Sequence, residues 1–492
     1  MKTAGALVHA LDSRMNPIVV KELRQISRGK FLTVILIGFL FTQLTVTGAV
    51  TLYSRGSANP GPQLYLTLLR FLTGICSALI PAYAGFRLAK ERSNTNRDLL
   101  FISTLKPASI VWGKTLSAAI LAALIYSVSM PFIVMTYILR GIDLPSAFLQ
   151  IALSYVFTLT MIQLGIMIGC MPASRIVRGT AGLIVLIVMP LFVLGSMGVF
   201  FQAYYSGAVA TGFLTAERDA LGTLGVASIC AAYAGALFLV STAFVSPPAS
   251  NRAFVPRVYV TAVWAVSIVV VFAWSEFAYS ADLIVEWMTI FSFIFSMALM
   301  FSISERDRLG ARVRQAIPHS RSRRALAFLF YSGSAGGFIW ASIGVVMTFI
   351  VGSIAASAFA ASISSSKFER LFLNLGFMAF NSWTAAASAV LLQRGYLKNR
   401  VARVHTWLIS FGIEALTGLL WSIYMISAGS QLVSFNFMGM SRFREDPPIA
   451  AAAVIAAVTV SFCIPWIFRQ KAAFKPLPLK TAEMQWTGSA CV

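Results

Sequence analysis

Apolar positions in this chain form continuous runs of about 20 residues instead of alternating with polar ones. A helix rising 1.5 Å per residue needs a run of roughly this length to cross about 30 Å of hydrocarbon, whereas a barrel strand needs about ten alternating residues. The pattern therefore predicts helical spans near residues 32–53, 66–88, 115–139, 147–170, 179–201 and 221–245. A second set is predicted near 258–277, 284–303, 334–360, 371–392, 405–428 and 449–468. Pro247 and Pro248, within Ser246–Asn251, separate the two sets of six.

Composition agrees with a bilayer environment. The chain has 492 residues, 58% of them hydrophobic and 11% charged, against about 25% charged in a soluble domain. A formal charge of +22 would point to nucleic acid in a soluble protein. In a membrane protein the placement of Lys and Arg sets topology instead. With the N-terminus inside, 31 of the 39 Lys and Arg fall in cytoplasmic segments. Seven fall outside (Arg55, Arg140, Arg218, Lys367, Arg370, Arg442 and Arg444), and Arg70 lies within a span. An odd number of spans would scramble that asymmetry. The expectation is an all-α polytopic membrane protein with about twelve transmembrane helices and both termini cytoplasmic. The first 31 residues carry six basic residues and no small-residue cleavage site, so they read as an uncleaved anchor.

Two charged segments carry more information than the spans. In residues 14–30, Asn16 before Pro17 makes a helix start, with a capping residue followed by proline at the first helical position. Ile18, Val19, Leu23 and Ile26 repeat at helical spacing, with Lys21, Arg24 and Arg28 largely off that stripe. This describes a helix lying on the membrane surface, for which a basic anchor against anionic headgroups is the plainest role. In residues 91–106, Ser93 to Asn96 offer caps, Leu99, Leu100 and Phe101 open a short helix, and Pro107 stops it before the third span. A mere linker would not need the apolar cluster Leu99, Leu100, Ile102 and Leu105, so the segment reads as a docking surface.

At these two segments the chain resembles the permease subunits of ABC exporters of the ABC-2 type. Their opening pattern, Asn-Pro, a few apolar residues, then Lys-Glu-Leu-Arg, is matched by Asn16, Pro17, Lys21, Glu22, Leu23 and Arg24. The segment after their second span is matched by Glu91, Arg92, Thr95, Leu99, Leu100, Thr104, Leu105, Gly113 and Lys114. Asn94, Arg97 and Asp98 depart from the family pattern. The resemblance covers about residues 14–245 and implies a six-span permease unit over 1–245, with an interfacial helix (14–30) and a coupling helix (91–106). It further implies a bacterial cytoplasmic membrane, a homodimer or heteromer, and a separate cytoplasmic ATPase docked on 91–106 through Glu91, Arg92, Thr95, Arg97, Asp98, Leu99, Leu100 and Leu105. Residues 246–492 form a second six-span region that the resemblance leaves unassigned.

A chain of this kind needs no nucleotide site of its own. Gly113-Lys114-Thr115 looks like the end of a P-loop, but Ala108 stands where its first glycine must be and no strand precedes it. The cysteines and the scattered His9, His319 and His405 show no metal spacing, so no cofactor is expected. Among intramembrane ionisable residues, Arg70 lies where it can snorkel. Glu414 sits near the middle of the eleventh span, where a charged carboxylate is disfavoured by several kcal/mol. Glu414 is expected to be protonated or hydrogen-bonded in a structural role, with a proton or substrate role as the competing possibility. The small-residue runs Ser332–Gly337 and Gly352–Ala358 are expected to pack helix against helix. Three functions follow: an ATPase-coupled exporter permease, an ion-coupled secondary transporter using Glu414, and a membrane scaffold without transport.

Overall fold

The computed structural model describes residues 17–53, 60–91, 106–138, 144–171, 178–180, 182–183, 217–247, 249–278, 282–307, 309–358, 365–397, 402–427, 432–434, 442–443 and 449–476. The described chain is helical apart from a short antiparallel pair, β1 (Leu432–Ser434) and β2 (Arg442–Phe443). It divides into two compact units, Met1–Ser246 and Pro247–Val492. Among the described residues ten helices are long and apolar enough to cross a membrane, five in each unit. This is a multi-pass helical membrane protein.

The first unit holds α1 (Pro17–Arg28), α2 (Lys30–Tyr53), α3 (Pro60–Glu91), α4 (Pro107–Ile138), α5 (Leu144–Cys170) and α6 (Glu217–Val245). Both α3 and α4 run 32 residues; α3 outlasts the predicted second span at each flank, and α4 starts eight residues before the predicted third span. Each begins at a proline, whose missing N–H costs nothing in a first turn. Prolines inside α3 (Pro81) and α4 (Pro131) bend no rule here, because neighbouring helices can satisfy the freed carbonyls. Beyond Leu183 the predicted fifth span lies outside the described residues.

Helix α3 is the centre of this unit, and its partner is α5. The two backbones touch: a Cβ built on Gly165 would lie 2.3 Å from the Pro81 carbonyl oxygen, and one on Gly169 would lie 2.5 Å from that of Gly85. Gly165 and Gly169 thus form a four-residue glycine repeat of the kind that lets membrane helices approach closely. Gly165→Ala is expected to destabilise the unit by about 1–3 kcal/mol, since the helices must separate to admit the methyl. Gly74→Ala, where the new carbon meets nothing within 4 Å, is expected to be neutral or stabilising. Thermal unfolding of both variants in detergent checks the contrast.

The second unit holds α7 (Phe254–Ala278), α8 (Asp282–Ser302), the short surface helices α9 (Ala311–Gln315) and α10 (Arg321–Phe330), α11 (Ser334–Ala358), α12 (Ser365–Arg394), α13 (Thr406–Ser427) and α14 (Ile449–Ala473). The predicted eleventh span corresponds to α13, whose apolar stretch Thr406–Trp421 is shorter than the other spans. Its core is aromatic, with Trp287, Phe291 and Phe295 of α8 against Trp340 of α11. Gly344 and Gly352 make room for it. A Cβ on Gly344 would meet the Phe295 ring at 2.3 Å, and one on Gly352 would meet Met288 at 2.4 Å.

Candidate functional site

The surface helix α1 is anchored by a carboxylate. Val19, Glu22 and Ile26 are its buried residues, and their i, i+3, i+7 spacing places them on one face. Glu22 is only 3% exposed. Burying a lone carboxylate costs several kcal/mol, so its partners are decisive. Lys114 Nζ, on α4, donates to Glu22 Oε1 at 2.7 Å, and Arg87 Nε, on α3, pairs with Oε2 at 3.1 Å. Lys114 Nζ also reaches Glu91 Oε2, the last residue of α3, at 2.7 Å. Arg87 donates further to Gln25 of α1 and Tyr83 of α3.

Two acids and two bases thus close a neutral cluster that ties α1, the end of α3 and the start of α4 together. Its members flank residues 92–105 on both sides. Arg92, Thr95, Arg97, Asp98, Leu99, Leu100 and Leu105 lie outside the described residues, as does Asn16. Pro17 opens α1, Leu23 is half-buried, and Lys21 and Arg24 are exposed. Of the residues singled out in the sequence, the structure brings together Glu22, Glu91 and Lys114. Sequence reasoning overlooked Arg87 and placed Lys114 in a cytoplasmic segment, where the structure buries it to 4% exposure.

A second ion-paired cluster gathers helix ends in the second unit. Arg257, on α7, is 4% exposed. Its Nη1 donates to the carbonyls of Leu329 and Tyr331, each at 2.8 Å, and its Nη2 to Glu305 Oε1 at 2.6 Å. The Gly333 N–H donates to Glu305 Oε2 at 2.8 Å. Burial pushes the Glu305 carboxyl above the ordinary carboxylate range, opposed chiefly by Arg257. Asp307 binds Arg394 at 2.8 Å and Arg403 at 3.2 Å, and also accepts from Ser334 and Gln470. The run Ser332–Gly337 has a role beyond helix packing: a Cβ on Gly337 would fall 2.3 Å from Arg257 Nη2, so the glycine is what admits the guanidinium.

Two intramembrane residues complete the set. Arg70 is half-buried within α3. Glu414 on α13 is 2% exposed and its Oε1 accepts from Ser382 Oγ of α12 at 3.1 Å, while Oε2 has no hydrogen-bond partner among the described residues. Among the described residues no group of three His, Cys, Asp or Glu is placed to hold a metal.

No protein-family model, no curated protein and no solved structure matches this chain.

Proposed function

We propose that this chain is the membrane permease subunit of an ATP-driven exporter of the ABC-2 type, with a separate cytoplasmic ATPase docking on residues 91–106. The chain would cross a bacterial cytoplasmic membrane twelve times with both ends cytoplasmic and act as a homodimer or heteromer. One observation supports this most: Glu22, Glu91 and Lys114, drawn from separate pieces of the sequence resemblance, share one buried ion-paired cluster. That cluster braces both flanks of the docking segment against the surface helix.

In this mechanism, closure of the ATPase pair pushes on Leu99 and Leu100. Because the end of α3 and the start of α4 are tied to α1, the push tilts the three helices together instead of bending one loop. The spans then exchange inward- and outward-open arrangements, as in other alternating-access devices. The substrate passes through the membrane domain while hydrolysis happens elsewhere, so the chain is no enzyme.

Purification from its own membranes in mild detergent tests this. The expected result is an accompanying ATPase whose turnover changes on charge reversal at Glu91, and no hydrolysis by the chain alone. An intact preparation with no ATPase, or a complex whose turnover ignores every charge reversal within 91–106, contradicts it.

The lone Oε2 of Glu414 favours one second reading, ion-coupled secondary transport through the other unit. Under the exporter mechanism Glu414→Gln leaves ATP-dependent flux within about twofold of wild type, because the amide keeps a carbonyl oxygen for Ser382. Flux abolished by this substitution and indifferent to ATP depletion would favour the ion-coupled mechanism.

A further inference from the structure

The second unit buries a group of polar side chains that the exporter mechanism does not use. Glu414, near the middle of α13, is 2% exposed, and only its Oε1 is satisfied, by Ser382 of α12. One turn away on the same face of α13, Ser410 is fully buried, and its Oγ has no hydrogen-bond partner among the described residues. Asn381, beside Ser382, is buried with its Nδ2 likewise unpartnered. Helix α8 packs against both α12 and α13. It carries Ser292 and Ser296, buried one turn apart, with neither hydroxyl partnered among the described residues.

These residues share one depth. The Phe301 and Trp407 rings, 5.6 Å apart, set the end of α8 beside the start of α13. Glu414 stands seven residues on from Trp407, and seven back from Phe301 falls between Ser292 and Ser296. At 1.5 Å per residue that level is about 10 Å from the ring contact. The hydrogen bond from Ser382 brings α12 to the same level.

Charge decides what such a group suits. Between Leu371 and Gln393 on α12, and throughout α8 and α13, the chain has no Lys or Arg. Among the described residues no base lies within ion-pair distance of Glu414. A carboxylate alone in hydrocarbon is strongly disfavoured. A proton would neutralise it, yet would leave the hydroxyls of Ser292, Ser296 and Ser410 unaccounted for, and buried polar groups in native interiors are seldom without partners. An alkali cation answers both needs. It cancels one negative charge and takes protein oxygens in place of its hydration water. A divalent ion would leave one positive charge over, because Glu286, the nearest other acid on α8, and Glu369, on α12, are exposed.

We propose that Glu414, Ser410, Ser382 and Asn381, with Ser292 and Ser296 of α8, form a binding site for one dehydrated alkali cation. The site stands independently of the exporter mechanism, since an ion that fixes three helices to one another need not be transported.

Sodium is the probe, offered to the full chain in detergent at one alkaline pH, where protons compete least, with choline replacing it at equal ionic strength. Equilibrium dialysis against labelled sodium is expected to give one saturable ion per chain, and sodium, unlike choline, is expected to raise the melting temperature. Glu414→Gln is expected to abolish binding yet melt as the sodium-free wild type does, because the amide is neutral and keeps an oxygen for Ser382. Ser410→Ala removes a hydroxyl without a partner, so in choline it is expected to melt at or above wild type, while sodium binds about tenfold more weakly. Identical melting in sodium and choline with no saturable binding, as water at these oxygens would give, overturns the proposal. Sodium binding undiminished in either variant overturns it too.

Discussion

Lys114→Met is expected to destabilise the first unit by about 3–5 kcal/mol, the usual consequence of removing one partner from a buried ion pair. Lys114 is the only base in the cluster that touches both carboxylates, Glu22 and Glu91. Without it, Glu91 can turn toward water, being about one-third exposed, but Glu22 cannot. Among the described residues Glu22 then keeps only Arg87, and α1 loses its ion pair to α4 while its apolar packing there remains. Adding Glu22→Gln to Lys114→Met is expected to recover part of the loss, because the uncompensated charge disappears with it. Lys21→Met, next to Glu22 but exposed, is expected to stay within about 0.5 kcal/mol of wild type. Unfolding in mixed micelles, followed by a probe on α1, measures all three.

Arg257→Met is expected to cost a similar 3–5 kcal/mol in the second unit, again from leaving buried partners unsatisfied. The guanidinium serves Glu305 and the carbonyls of Leu329 and Tyr331 at once. Only a planar fork with several donors can do that, so Arg257→Lys is expected to recover less than half of the loss. The glycines at 336 and 337 sharpen the effect. Gly337 leaves the space that the guanidinium occupies, while Gly336 admits the Phe328 carbonyl beside it, and methionine in that space donates nothing. Thermal unfolding of the three proteins in one detergent distinguishes these outcomes.

The membrane class was legible in the sequence because hydrocarbon thickness imposes one run length on every span. The start of α1 was legible too, since Asn16-Pro17 is a local signal and the helix begins at Pro17. Helix ends were less so. The third span was placed at 115, yet α4 begins at Pro107, because Lys114 is neutralised by partners that no hydropathy window contains. The same cause hid both ion-paired clusters. Glu22 and Lys114 are 92 residues apart, Arg257 and Glu305 are 48 apart, and Asp307 and Arg394 are 87 apart. Charge sign along the chain placed most of these residues near one surface but could not pair them. A carboxylate at an i, i+3, i+7 position with Val19 and Ile26 was the one local signal that Glu22 turns inward. For Glu414 the expected hydrogen bond is present on one oxygen, from Ser382, and the surface helices α9 and α10 lie between the spans predicted at 284–303 and 334–360, where no element was expected.

Crosslinking directly reads the proposed contact between a cytoplasmic ATPase and residues 91–106. A photo-crosslinking residue placed at Leu100 in cells, with a second placed at exposed Val266 of α7 as control, should separate docking from chance collision. The exporter mechanism predicts an adduct from position 100, but not from 266, to a polypeptide that hydrolyses ATP. An adduct from position 100 only to lipid or to another copy of this chain would contradict it.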